Sequence, residues 1–186
     1  IIANENYQRV SSVEYASNDG QTFKEYCNKT LGVPEKNIRI VHDATLVNMW
    51  EQVDWLAGIA KAYKGNAKII FYYAGHGIPD ESTKDAFLLP VDGNGSNTST
   101  GYKLSSLYSR LSENPTKSTI VLLDACFSGA ERSGEMMIAS RGVAIKAKSE
   151  APKGNMVVFS AAQGDETAYP YREKGHGLFT YFLCKK

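Results

Sequence analysis

Short apolar runs alternate with amphipathic stretches along the chain. Residues 1–3, 37–41, 67–74, 118–123 and 155–160 are rich in Ile, Val, Phe and Tyr, the composition of strands buried on both faces. Between them, residues 45–63 place Met49, Val53, Leu56, Ala60 and Tyr63 at helical spacing, and Gly65 follows as a stop. Residues 18–31 predict a second helix, with Asn18-Asp19 at a capping position and Gly32 and Pro34 past its end. Residues 104–111 and 177–184 predict two shorter ones. Strand, helix and strand in repeated order predict an α/β fold, a mostly parallel central sheet with helices on both faces. In such sheets the functional groups gather on loops beyond the C-terminal ends of the strands.

Two stretches break the pattern. Residues 93–101 are rich in Gly, Ser, Asn and Thr and predict a solvated loop. Residues 130–154 carry scattered charge without a period and predict a long mobile connection, the kind of loop that is often functional. With no internal repeat, residues 1–186 are expected to form one domain.

Hydrophobic residues make up 42% of the 186, enough for a real core and against disorder. Lys plus Arg number 21 against 20 for Asp plus Glu, so the chain lacks the basic excess of a nucleic-acid binder. No apolar run reaches the ~18 residues of a membrane span, and no signal-peptide pattern is present. The opening Ile-Ile-Ala reads as a strand already under way, so the natural N-terminus is expected to lie upstream, and localisation stays unassigned. Cys27, Cys126 and Cys184 are too few and oddly spaced for a disulfide framework or a zinc site.

Two motifs carry chemistry. In Phe71-Tyr72-Tyr73-Ala74-Gly75-His76-Gly77, an apolar strand runs into a histidine flanked by glycines, where the backbone can turn sharply and present an N–H to a developing oxyanion. In Leu122-Leu123-Asp124-Ala125-Cys126-Phe127-Ser128-Gly129, a second strand ends in Asp, Cys and Gly, which is expected to expose the thiol to substrate. A thiolate needs a nearby imidazole to act as a nucleophile. Either residue alone is ordinary, a core cysteine or a loop histidine. Together they end two predicted parallel strands at one edge of the sheet.

Tyr-Tyr-Ala-Gly-His-Gly followed 50 residues later by Asp-Ala-Cys-Phe-Ser-Gly resembles the caspase/metacaspase superfamily of cysteine peptidases. Asp-Ala-Cys in place of Gln-Ala-Cys points to the metacaspases and their bacterial relatives, the orthocaspases. Leu88-Leu89-Pro90-Val91-Asp92, Phe159-Ser160-Ala161-Ala162-Gln163 and Gly175-His176-Gly177-Leu178-Phe179-Thr180 extend the similarity over nearly the whole chain. The resemblance implies a three-layer caspase-like sandwich, with a p20-like part over about 1–130, a linker over about 130–154 and a p10-like part over about 155–186. It implies that Cys126 attacks the scissile carbonyl, that His76 protonates the leaving amine, and that backbone N–H groups of Gly77 and Cys126 form the oxyanion hole. His176, in a second Gly-His-Gly, is structural by the same resemblance, and Cys27, Cys184 and His42 read as packing or surface residues.

Asp124 either caps a loop at a strand end or sits at the base of the primary specificity pocket, where a carboxylate would pair with Arg or Lys. By resemblance Asp19 is a second pocket acid, with a helix cap as its plainer role, and Asp165 is a third. Cleavage after Arg or Lys is the expectation, on protein or peptide substrates. Arg141, Lys146 and Lys148 in the linker are candidate self-cleavage sites. Calcium activates many metacaspases. Here Asp92 stands without the acidic pair expected near Tyr102-Lys103-Leu104, and one carboxylate is too few for that cation, so no metal or cofactor is expected. By resemblance to metacaspases the chain is expected to be monomeric. A non-catalytic scaffold of the same fold, a transpeptidase using the same acyl-enzyme, and a doubly wound nucleotide binder are the competing readings. The last lacks a Gly-rich loop after the first strand.

Overall fold

The computed structural model describes residues 1–128, 151–162 and 168–185. In chain order the elements are β1 (Ile2–Ala3), α1 (Ala16–Lys29), β2 (Val41–His42), α2 (Leu46–Tyr63), β3 (Lys68–Ala74), β4 (Gly77–Pro79) and β5 (Ala86–Leu88). They continue with β6 (Tyr102–Lys103), α3 (Leu104–Leu111), β7 (Ser118–Asp124), β8 (Met156–Ser160), β9 (Pro170–Tyr171), β10 (His176–Gly177) and α4 (Leu178–Cys184).

The central sheet has five parallel strands in the order β2-β1-β3-β7-β8. Strands β3 and β7 form its spine, paired over seven residues from Lys68↔Ser118 to Ala74↔Asp124. Successive side chains of a strand point to opposite faces, and the two cores follow that rule. Phe71, Tyr73, Val121 and Leu123 pack with Met49 and Val53 of α2 and Leu104, Leu107 and Leu111 of α3. Tyr72, Ala74 and Leu122 pack on the other face with Phe23 and Cys27 of α1 and with Phe179 and Leu183 of α4. Each large side chain so buried stabilises the fold by about 1.5–3 kcal/mol. The result is a three-layer sandwich, a parallel sheet between two helical layers, as the resemblance implies.

Helix α2 starts where the pattern places it. Thr45 and Asn48 form a reciprocal capping box, and the Asp92 carboxylate accepts the Leu46 N–H at 3.0 Å. Asp92 thus serves a helix start, and no group of three or more potential metal ligands occurs among the described residues.

Helix α1 corrects an expectation. It begins at Ala16 after Tyr15, which takes a left-handed conformation (φ 69°) and offers no side-chain cap. Asn18 and Asp19 therefore lie inside the first turn instead of capping it. Gly20 on the same helix lets α1 close onto β1, since an added Cβ would stand 2.6 Å from Ala3 Cβ. The second strand also falls later than expected. Residues 35–37 form a 3₁₀ turn after Pro34, with Asn37 N–H donating to the Pro34 carbonyl at 2.8 Å, and pairing begins only at Val41. The 93–101 stretch is more packed than a solvated loop: Gly93 sits against Leu89 and Pro90, and Thr98–Thr100 form a 3₁₀ turn. An antiparallel sheet β4-β5-β6, which the sequence pattern did not predict, begins at the last residue of the His76 motif and precedes the Cys126 motif in the chain.

Candidate active site

Strand register brings the two motifs together. Ala74 and Asp124 are partners across the β3–β7 ladder, and the Gly75 N–H extends it by donating to the Asp124 carbonyl at 3.2 Å. His76 and Cys126 each lie two residues beyond that pair, on neighbouring strands at the same sheet edge. Gly77 presses on the second motif: a Cβ there would stand 2.6 Å from the Cys126 carbonyl oxygen and 2.5 Å from the Phe127 ring. Only glycine permits this approach, and it puts the backbones of the two expected oxyanion donors, Gly77 and Cys126, side by side.

His76 is buried and held at several points. Its N–H donates to the Tyr7 hydroxyl at 2.8 Å, and its carbonyl accepts from the Leu89 N–H at 2.9 Å and the Tyr73 hydroxyl at 2.7 Å. The imidazole lies 4.8 Å from the Tyr7 ring, and its Nε2 reaches the Ser11 carbonyl at 2.9 Å. The Ser11 carbonyl is a third member of the constellation that sequence reasoning missed. A main-chain oxygen has no side-chain signature, and nothing in the residue types could have found it.

Cys126 corrects the expectation of an exposed thiol. The residue retains 5% of its accessible surface, because Ala161 and Ala162 after β8 and Ala168 before β9 pack against it. Its Sγ stands 2.8 Å from the Ser128 Oγ. The other cysteines behave as packing residues. Burial pushes the Cys27 thiol up to about 11 and, with the nearby Cys27 and Asp19 adding to it, the Cys184 thiol up to about 12.

The candidate pocket acids are also placed. Asp124 is buried, and its Oδ2 accepts from the Thr180 hydroxyl at 2.6 Å. Asp19 is fully buried: Oδ1 lies 2.8 Å from His176 Nδ1, and Oδ2 accepts the Gly177 N–H at 2.9 Å. Asn18 donates to the Gly175 carbonyl at 2.7 Å. The Asn-Asp pair thus binds α1 to β10, and His176 is Asp19's partner. Asp165 and the linker residues Arg141, Lys146 and Lys148 lie outside the described residues.

A family model described as the caspase domain matches residues 1–186. The chain belongs to the caspase domain family. No curated protein matches it. Among solved structures, the caspase-domain chain is similar to caspase-1 from Spodoptera frugiperda, with 13% identity and a TM-score of 0.61. The likeness covers 99% of this chain and 65% of that one, so this caspase domain spans less than two thirds of its neighbour's length. At that identity the likeness speaks for the fold, and the family match for a cysteine-peptidase domain.

Proposed function

We propose that this caspase domain is a cysteine endopeptidase that cleaves after Arg or Lys through Cys126 and His76, as the metacaspases do. The observation that carries the reading is the equal offset of the two residues past the Ala74–Asp124 pair on adjacent parallel strands. In the proposed reaction Cys126 Sγ bonds to the scissile carbonyl carbon, and the oxyanion forms against the N–H groups of Gly77 and Cys126. His76 takes the thiol proton and gives it to the leaving amine as the C–N bond breaks. Water then attacks the thioester, releasing the carboxylic acid and restoring the thiol. Because Cys126 is covered by Ala161, Ala162 and Ala168, a peptide reaches the sulfur only when that side gives way.

Basic specificity is supported by Asp124, an acid two residues before the nucleophile on the face of the sheet that carries α4. Asp19 joins it from α1, with Asp165 as a third acid. Self-cleavage after Arg141, Lys146 or Lys148 follows from the same pocket, and the protein is proposed to act as a monomer.

A panel of fluorogenic peptides ending in Arg, Lys or Asp tests the reading. Turnover of the Arg and Lys peptides, lost in Cys126→Ala, is the expected result. Preference for the Asp peptide overturns the specificity, and equal turnover by Cys126→Ala overturns the nucleophile. On a gel, wild type is expected to split and Cys126→Ala to stay whole. A fully active wild type that stays whole rules out the need for processing.

A further inference from the structure

Two buried carboxylates from distant parts of the chain converge on the start of α4. Asp19 accepts the Gly177 N–H, and Asp124 accepts the Thr180 hydroxyl. Gly177 and Thr180 are three residues apart, close to one helical turn, and so lie on the same side of that segment. Behind Thr180 stands Tyr72 of β3, its hydroxyl 2.5 Å from the Thr180 Oγ1. An ionised carboxylate only accepts, so the Thr180 proton goes to Asp124 and Tyr72 donates to Thr180. The chain Tyr72–Thr180–Asp124 is shut off from solvent, with exposures of 0%, 0% and 1%. In such a setting linked hydrogen bonds reinforce one another.

We propose that Thr180 is a positioning residue for substrate selection, fixing through its Tyr72-backed hydroxyl the plane of the Asp124 carboxylate that receives a basic side chain. The inference rests on the Arg/Lys reading of the pocket. A carboxylate turns easily about its terminal torsion, which is broad and two-fold, whereas a guanidinium fork needs the two oxygens in one plane. Threonine supplies what the acid lacks. Its χ1 is restricted by branching at Cβ, and its helix is tied down one turn earlier by Asp19. Selection of the substrate is thereby shared between β7, which brings the acid, and α4, which orients it.

Thr180→Val replaces the hydroxyl by a methyl of the same shape, and Thr180→Ser keeps the donor. The full chain is assayed on an Arg peptide for kcat and KM, for Cys126 alkylation by iodoacetamide, and for Tm. Thr180→Val is expected to lose about tenfold or more in kcat/KM on the Arg peptide, chiefly through KM. Thr180→Ser is expected to stay within about threefold of wild type, and alkylation within about twofold in both. In an Asp124→Asn background the Thr180→Val effect should shrink to about twofold or less, since it acts through the acid.

Wild-type kcat/KM in Thr180→Val overturns the inference. So does an equal loss in the Val and Ser variants with slowed alkylation, the mark of a merely structural role. If Asp124→Ala still cleaves the Arg peptide as wild type does, the pocket reading fails and this inference falls with it. Loss in Asp124→Ala beside an intact Thr180→Val sinks this inference alone. Should Thr180→Val not fold, Tyr72→Phe removes the outer link. A KM for the Arg peptide raised about threefold or more is then the expected result, and an unchanged KM overturns the inference.

Discussion

His76 Nε2 lies 2.9 Å from the carbonyl oxygen of Ser11, in the segment that leads into helix α1. A carbonyl can only accept, so the ring carries its proton on Nε2, and Nδ1 is the basic nitrogen of the neutral imidazole. The ring's tautomer and tilt are set by main chain that lies outside both the His76 and the Cys126 motifs.

His76→Ala should therefore lower kcat on an Arg peptide by about 10²–10⁴-fold, the usual worth of a positioned acid or base. Ser11→Ala keeps the carbonyl and should stay within about twofold of wild type, as a change at a position without a side-chain role does. Steady-state kinetics of both variants decide it. A collapse in Ser11→Ala would show that the hydroxyl, and not the main chain, holds the ring.

Gly77→Ala tests the contact between the two loops. The new methyl would stand 2.6 Å from the Cys126 oxygen, a main-chain atom that cannot swing aside. Overpacking of this kind costs about 1–3 kcal/mol, and the shift needed to relieve it would displace the backbone of Cys126. A lowered urea midpoint together with lost turnover is the expected pair of results. Full activity would separate Gly77 from the oxyanion site.

Asp19 has a structural duty whatever its part in the pocket. Removing the carboxylate leaves the buried Gly177 N–H without this acceptor, so Asp19→Ala should lower stability by about 1–3 kcal/mol. Urea unfolding followed by circular dichroism reads this directly. An unchanged midpoint would mean that β10 is held by other contacts.

How much of this was legible in the sequence depends on which atoms are involved. Four of the five central strands and the four helices among the described residues follow from the sequence pattern, because burial on two faces leaves a composition that can be read directly, whereas β2 pairs only from the last residue of its apolar run. His76 and Cys126 stand out for the same reason, since each follows closely on such a strand. What escaped is main chain or long range. The Ser11 carbonyl is contributed by a residue of no special type. The Asp19–Gly177 bond joins positions 158 apart, and at that distance Asn18-Asp19 looks like the helix cap that Tyr15 in fact replaces. The cover over Cys126 comes from alanines, the least informative apolar residues.

Cys27 and Cys184 give the fold a pH dependence at its alkaline end. Burial raises both thiols above their usual 9.0, to about 11 and about 12. The unfolded chain loses these protons first, so stability should be intact below about pH 9 and fall as pH rises from there through about 11 to 12. Urea midpoints between pH 7 and 11 should show that decline, flattened in a Cys27→Ala, Cys184→Ala double variant. An equal decline in the double variant would assign it to other groups.

The seven-rung pairing of β3 with β7 makes the chemistry a matter of counting. A slip of one residue in either strand moves everything beyond it by about 3.3 Å and exchanges inward for outward. Asp124 would then lose the Thr180 hydroxyl of α4 and point into the layer of Leu107 and Leu111, where a polar group has nothing to meet. A mutational drift that shifts Cys126 against His76 thus drives a carboxyl group into oil at the same stroke. Selection for mere folding therefore guards the spacing of His76 and Cys126, whatever chemistry the chain performs.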